Sequence, residues 1–353
     1  MKLLVVPAAL GDSLSEQDCL DQIEGALAQV GLFASSHALS SGGPCMLNAL
    51  MSHGTVELHG FDIPISKNEH HFATAARRRG TWWLEGSTST GDMALTNVRQ
   101  SSTATSYGLG ELIARCMRRQ PAPLIVGLPD RFPVDGGLGI MMSLGFTVSD
   151  AWGHPIKTMG GIIDLGRVRH IHGSPTPSIG PMRVLIRSPR TVDAALDAYH
   201  LNPAERLQQV DALRRWVDTL NEWRSHQGLR TINPHQPNLG SGSGSAIALS
   251  ALGGVLTDGA QYFSRVTGLK KALENVDAVI VVHDGTGDRS AAESLARVHS
   301  RLGVSAPCPV FALAYRPNAF DSTEGIGVVC LTGLAPEDFA TAAQSLNDRL
   351  HAP

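Results

Sequence analysis

The chain has 353 residues, 42% hydrophobic and 17% charged, with a formal net charge of −3. This length suggests about two domains, and the apolar fraction is enough for substantial cores. So balanced a charge excludes nucleic acid or an anionic membrane as a partner held by bulk electrostatics. Five scattered cysteines without a CxxC pair encode neither a disulfide framework nor a zinc site.

Met1 to Pro7 carries one positive charge and a short apolar run, without the longer apolar stretch of a secretory leader. It reads as a first strand covered on both faces, and a cytoplasmic location is expected. No stretch approaches the roughly 20 apolar residues that cross a bilayer. Ser13-Leu14-Ser15-Glu16 fits a helix capping box, followed by Leu20, Ile23, Leu27 and Val30 at helical spacing and Gly31 as a stop. Arg77-Arg78-Arg79 before Trp82-Trp83 has the look of a nucleic-acid patch. A single basic cluster in a slightly acidic chain reads better as a hairpin or loop with solvated arginines.

From Gly108 to Gly145 the pattern is clearest. Leu109, Leu112, Ile113, Cys116 and Met117 mark one helix face, and Arg118 and Arg119 suit its carboxyl-terminal dipole. Pro123 to Leu128 reads as a buried strand, and a polar loop from Pro129 to Gly137 leads to a helix carrying Ile140, Met141 and Leu144. Met182 to Ile186 is a further strand. Asn202-Pro203-Ala204-Glu205 starts a long helix, whose expected buried face is Leu207, Val210, Leu213, Trp216, Val217, Leu220 and Trp223. Ser225 to Ser245 is irregular and ends in a Gly/Ser run, either a linker or a loop opening a helix from Ala246. Asp277 to Val282 is a strand running into His283-Asp284-Gly285-Thr286-Gly287-Asp288. Strands near Pro309–Ala314 and Ile326–Leu331 and a helix from Pro336 complete an α/β alternation. His70-His71 and the His170/His172 pair have no spaced partners to complete a metal site, and read as surface histidines.

Several segments, in order, resemble the glycerate kinase family. Thr105-Ser106-Tyr107-Gly108-Leu109-Gly110-Glu111-Leu112 is similar to its Thr/Ser-Ser-Tyr-Gly-x-Gly-Glu-Leu block. Val134 to Gly137 resembles the end of its Gly-Gly-Ser-Ala-Thr-Asn-Asp-Gly-Gly loop. Asp12 to Ser15 looks like its Gly-Ser-Leu-Ser, Gly42-Gly43 like its Asp-Gly-Gly-Glu-Gly, Pro237 to Gly254 like its Gly/Ala-rich loop and helix, and Val282 to Asp288 like its Thr-Gly-Glu-Gly-Arg-x-Asp loop. The resemblance implies two α/β domains. A flavodoxin/Rossmann-like domain is expected from residues 1–60 and 246–353, with a second α/β domain inserted at 61–245. It implies ATP and Mg2+ as cosubstrates, D-glycerate or a related hydroxy acid as acceptor, and a cleft between the domains. No zinc, haem or flavin is expected; the partners are a small organic acid and a nucleotide, with no nucleic acid and no membrane.

Phosphoryl transfer relies on positioning and charge stabilisation, and here the sequence departs from the resembled pattern. The family's Asp-Ser-Phe-Lys becomes Ala8-Ala9-Leu10-Gly11, its Asp-Gly-Gly-Glu becomes Ser41-Gly42-Gly43-Pro44, and a strand end Cys-Asp-Val-Asp-Asn-Pro becomes one with Ile186-Arg187-Ser188-Pro189-Arg190. Arg in place of Asp reverses the local charge and would repel magnesium. Among the surviving acids, Asp284 and Asp288 are candidates for the magnesium side and Asp135 for orienting or deprotonating the acceptor, with a helix N-cap as its architectural alternative. Ser13, Ser106, Tyr107, Gly108, Gly136, Gly137, Gly242, Gly244 and Gly285 are the candidate substrate and phosphate contacts, by way of glycine-rich turns before helices. Arg187 and Arg190 suit forked bonds to a carboxylate or phosphate, or read equally well as ordinary solvated arginines. The expected activity is ATP-dependent phosphorylation, weakened or altered; the alternative is a non-catalytic small-anion binding or regulatory protein.

Overall fold

The run Leu3-Leu4-Val5-Val6 forms a strand buried on both faces, as a parallel sheet covered by helices requires. The computed structural model describes residues 2–7, 16–90, 104–197, 199, 201–274, 276–283, 308–314, 326–330 and 336–351. In chain order these form β1 (Lys2–Pro7), α1 (Glu16–Gln29), β2 (Phe33–Ser36), α2 (Met46–Met51), β3 (Glu57–Ser66), β4 (Glu69–Arg78) and β5 (Thr81–Glu85). After a short 3-10 turn come α3 (Tyr107–Arg119), β6 (Leu124–Leu128), α4 (Leu138–Ser143), β7 (Thr147–Ser149), α5 (Ile162–Arg167), β8 (His170–His172), β9 (Met182–Ile186) and α6 (Pro203–His226). The rest are α7 (Ser245–Ala251), β10 (Val255–Asp258), α8 (Gly259–Thr267), α9 (Leu269–Leu273), β11 (Ala278–His283), β12 (Val310–Ala314), β13 (Ile326–Cys330) and α10 (Pro336–Leu350). No helix among the described residues is long and apolar enough to cross a membrane.

The chain divides into two compact units. The smaller comprises Met1–Ser40, Asn48–Gly54 and Ala260–Pro353. Its sheet is fully parallel, in the order β13-β12-β11-β1-β2. Counted along the chain this is the flavodoxin-like order 2-1-3-4-5, with the direction of winding reversing between β1 and β11. Leu3, Val5, Ala278 and Ile280 meet Leu20, Ile23 and Leu27 of α1 and Phe339, Ala343 and Leu346 of α10 in one core. The i, i+3, i+4 spacing on each helix places those residues on a single face.

The larger unit comprises Ser41–Leu47 and Thr55–Gly259. Its six strands lie in the order β10-β9-β6-β5-β4-β3. β3, β4 and β5 form an antiparallel meander, whereas β5, β6, β9 and β10 run parallel. Arg79 and Gly80, at φ 50° and 74°, make a two-residue hairpin turn between β4 and β5, so the basic cluster belongs to a hairpin. Trp82 and Trp83 beside it are buried rather than displayed. β7 and β8 form a separate ribbon with His170 and His172 exposed. α6 opens with the anticipated capping box: Asn202 Oδ1 accepts the Glu205 amide at 2.9 Å, and Glu205 Oε2 accepts the Asn202 amide at 3.4 Å.

One expectation needs correction. Leu207 is 59% exposed, because the first turns of α6 project beyond the core that Val210 to Trp223 enter. Of the two readings of the Gly/Ser run before α7, the loop opening the helix is the one seen: residues 239–245 are all buried. The compact units divide at Gly259/Ala260. Ala246, Ile247, Ala248 and Leu249 of α7 belong to the same core as Leu213 and Trp216 of α6, which ties that helix to the larger unit.

Candidate functional site

In the larger unit, the loops that follow the carboxyl ends of β5, β6 and β9 bring together most of the described candidate residues. This is the edge where parallel α/β sheets present ligand sites. Asp135, in the loop after β6, is completely buried. Its Oδ2 accepts the Ser106 amide at 2.8 Å, the Ser106 hydroxyl at 2.8 Å and the Gly139 amide at 3.1 Å, and its Oδ1 accepts the Gly137 amide at 2.9 Å. Ser106 Oγ in turn accepts the Ile140 amide at 3.2 Å. One carboxylate thus joins the starts of α3 and α4, using amides that a helix leaves without internal partners. Burial pushes the Asp135 carboxyl above the usual range, while the bonds from Ser106, Gly139 and Gly137 pull it down. With both oxygens engaged and no exposed surface, this carboxyl holds architecture in the structure as it stands; a base must touch the proton it removes.

Gly108, Gly136, Gly137, Gly242 and Gly244 are buried near this cluster, and Tyr107 is half-buried at the start of α3. Burial, with the Glu111 carboxylate nearby, pushes the Tyr107 phenol up. The glycine turns are filled by protein. Gly136 has φ 61°, and an added Cβ there would stand 2.7 Å from Trp216 Cδ1; its carbonyl accepts the Trp216 indole N–H at 3.0 Å. Gly242 lies against Leu128 and Gly244 against Leu213. Close packing between helices and strands accounts for these small residues.

Sequence reasoning passed over the ties that fix the loops to one another. Ser243 Oγ accepts the Phe132 amide at 3.1 Å and shares a 2.8 Å bond with the Tyr199 hydroxyl, which donates to the Phe132 carbonyl at 2.6 Å. Burial pushes the Tyr199 phenol up. Ser241 Oγ accepts the Arg190 amide at 3.2 Å and donates to the Ser188 carbonyl at 3.0 Å, and the Gly240 amide reaches the Arg190 carbonyl at 2.8 Å. The stretch after β9 is therefore stitched to the loop before α7.

The segment Ser41–Leu47 crosses the ends of the same strands. Gly42 abuts Gly127 of β6 and Leu185 of β9: at φ 93°, a Cβ on it would fall 2.6 Å from Leu185 Cβ. Glu85, at the end of β5, accepts the Cys45 and Leu47 amides at 3.1 Å each and the Ser87 hydroxyl at 2.6 Å. Its carboxyl is raised, chiefly by burial. Cys45 has φ 64°, in the left-handed region, at the place where the resembled Asp-Gly-Gly-Glu-Gly motif has its last glycine.

Arg187, just beyond β9, lies against Gly43, whose Cβ, if present, would be 3.2 Å from both its Cδ and its Nη1. Its Nε stands 3.3 Å from Asp130 Oδ2, an ion pair with 14% and 11% of the two side chains exposed. The contact lacks hydrogen-bond alignment, so that Nε–H has no hydrogen-bond acceptor. The charge reversal read in the sequence is thus answered by an acid on the neighbouring strand's loop.

Ser13, Asp284, Gly285 and Asp288 lie outside the described residues. The strands that lead to them, β1 and β11, are neighbours at the reversal point of the smaller sheet. Among the described residues no three His, Cys, Asp or Glu side chains converge as a metal site. At the edge of the larger sheet, Asp135 is occupied by amides and a hydroxyl, Glu85 likewise, and Asp130 faces a guanidinium. These three carboxylates do not fit a magnesium ion.

Known proteins bear on this arrangement in three ways. The chain is 29% identical over 189 residues to an uncharacterized protein of Synechocystis sp. (strain ATCC 27184 / PCC 6803 / Kazusa), a match taking in 50% of this chain and 48% of that one, so it spans about half the relative's length. The fold superposes with a TM-score of 0.76 on a crystal structure from Salmonella typhimurium LT2, provisionally described as glycerate kinase 2, at 19% identity and covering 99% of this chain and 98% of that one. A family model described as "Glycerate kinase family" matches residues 3–184, more than half of the chain. The α/β architecture and that match agree from β1 through β9, and the chain belongs to the glycerate kinase family.

Proposed function

We propose that the protein is a phosphotransferase that moves a phosphoryl group from ATP to the hydroxyl of a small hydroxy acid, D-glycerate or a relative. The observation that carries this reading is the family match over residues 3–184, supported by a fold shared along nearly the whole chain. The proposed nucleotide side is the smaller unit, where the reversal between β1 and β11 is the place a flavodoxin-like sheet offers to a phosphate-bearing ligand. The two strands lead directly into the segments carrying Ser13 and Asp284 to Asp288.

In the larger unit the chain's own residues would position rather than react. The Asp135–Ser106 clamp fixes the starts of α3 and α4, and the Ser241 and Ser243 ties fix the loops after β6 and β9. Held loops lower the entropy lost when an acceptor is oriented. ATP and magnesium are the cosubstrates that family membership suggests. Asp284 and Asp288 are the acids proposed for the metal side, since the described carboxylates do not suit that task.

The test is a coupled ADP-release assay on the full chain with ATP, magnesium and a panel of hydroxy acids that includes D-glycerate. Acid-dependent ADP release that collapses in Asp284→Ala and Asp288→Ala is the expected result. No acid-dependent release across the panel overturns the reading.

A further inference from the structure

The four residues Arg187 to Arg190 hold an unusual set of unfilled donors. The Nε of Arg187, the Nε of Arg190 and the Oγ of Ser188 are all buried, and none has a hydrogen-bond partner. Buried polar groups in folded proteins are nearly always satisfied. Three unsatisfied ones within four residues, two of them on guanidinium groups, call for an acceptor from elsewhere. The backbone of the same stretch is tied at three points: Arg190 N and Ser188 O to Ser241 Oγ, and Arg190 O to the Gly240 amide. The main chain is thus fixed while the side-chain donors stay open.

We propose that Arg187, Ser188 and Arg190 form a binding site for an oxyanion, a carboxylate or phosphate group on a small molecule, at the carboxyl edge of β9. The two guanidinium groups carry positive charge and only donate, and the Ser188 hydroxyl can turn its O–H toward the same oxygen, so a cation is the wrong complement. A planar guanidinium presents its N–H groups as a fork that matches two oxygens of one anionic group. The Asp130 carboxylate 3.3 Å from Arg187 Nε already shows the complementary chemistry, but its bond is misaligned. It sets the side chain's position and leaves donor capacity for a ligand. Gly43, backed against Arg187, leaves the guanidinium room that any side chain would take. The site rests on these unfilled donors and stands apart from the phosphotransferase reading.

The experiment is calorimetric titration of the full-length protein, without ATP, with D-glycerate, malate and inorganic phosphate separately at constant ionic strength. Wild type is compared with Arg187→Gln, Arg190→Gln and the milder Ser188→Ala. Saturable binding of at least one probe is expected, weakened about tenfold or more in each arginine variant and several-fold in Ser188→Ala. A preference for the organic acids identifies the ligand's anionic group as a carboxylate, and a preference for phosphate identifies it as a phosphoryl group. No binding of any probe to wild type, or equal binding by wild type and variants that melt like it, overturns the proposal. Should an arginine variant fail to fold, Ser188→Ala decides: unchanged affinity there overturns it. ADP release by the wild type is measured separately, so anion binding without any acid-dependent ADP release counts against the phosphotransferase reading alone.

Discussion

Asp135 Oδ2 accepts two bonds from Ser106, one from the amide and one from the hydroxyl, each 2.8 Å long and fully buried. That doubled contact joins the loop after β6 to the start of α3. Asp135→Ala strips the partner from buried amides at Ser106, Gly137 and Gly139, and should lower stability by about 3–5 kcal/mol. Asp135→Asn keeps the shape but turns an N–H2 toward other donors, and should cost about 2 kcal/mol. Urea titrations of both variants measure this, and a loss under about 0.5 kcal/mol in Asp135→Ala would contradict it.

Tyr199→Phe removes the hydroxyl that bonds Phe132 O and Ser243 Oγ. A loss of about 1–2 kcal/mol is expected. Because the same bonds brace the loop before α7, the oxyanion affinity should fall with it, whereas Phe should leave the ring packing unchanged.

Gly43→Ala separates position from stability. The new Cβ would lie 3.2 Å from two Arg187 atoms, at the far end of a side chain that can yield by a few tenths of an ångström. The melting temperature should move little, and anion affinity should fall several-fold because Arg187 is displaced. Unchanged affinity would show that its placement against Gly43 is unimportant.

Arg79 is exposed with φ 50° in the turn before β5, followed by Gly80 at φ 74°. Two consecutive left-handed residues define the hairpin turn that favours Asn-Gly. Arg79→Asn should stabilise the chain by about 0.5–1 kcal/mol, read as a raised urea midpoint at constant slope.

In the smaller unit, His37 is buried beside His53, with ring centroids 4.3 Å apart, and its Nε2 lies 3.1 Å from Thr267 Oγ1. Burial, and then the charge of His53, lowers its pKa from 6.5 to about 4. An imidazole whose folded pKa lies below its unfolded value is neutral in the fold and binds a proton more readily when unfolded. Stability from this site is therefore full above pH 6.5 and falls as pH drops toward 4. With allowance for solvent screening, the loss should be about 2 kcal/mol. His37→Gln should flatten that part of the stability–pH curve; an unaltered slope between pH 6.5 and 4 would rule His37 out as its source.

Regular spacing made much of the fold legible. The apolar runs of β1, β6, β9 and β11 and the stripes on α1, α3 and α6 are local signals, and the capping box at Asn202 is a local hydrogen-bond pattern. The β3–β4 pairing was missed. Gly60 and Pro64 interrupt β3, and half of its surface faces solvent with charged and histidine side chains, so neither apolar content nor strand propensity marks it. The Gly/Ser run before α7 has the composition of a linker, yet small residues are also what a buried loop against Leu128 and Leu213 requires.

The site was harder to read for a different reason. Asp135 before two glycines fits a cap or a base equally well; only burial and the donors converging on it from Thr105, Ser106, Gly137 and Gly139 assign its present task. The Arg187–Asp130 pair joins loops after two strands that are adjacent in the sheet and distant in sequence. No spacing rule connects them. Glu85 gives no signal at all until the Cys45 and Leu47 amides are seen to converge on it.

The flavodoxin-like sheet places β11 directly beside β1, and the Lys2 amide bonds Asp277, 275 positions along the chain. On a ribosome adding about 5–20 residues per second, β1 would wait on the order of 15–50 s for that neighbour. Its partner β2 arrives almost at once, but its other edge has nothing to pair with while the whole of Thr55–Gly259 emerges and can settle around its own core. Biosynthesis thus orders the two halves in time: the inserted body can be complete while the sheet that encloses it in sequence is still open on one side. An unpaired strand edge during that interval is the kind of surface chaperones protect, so slower translation beyond Gly259 should raise the yield lost to aggregation.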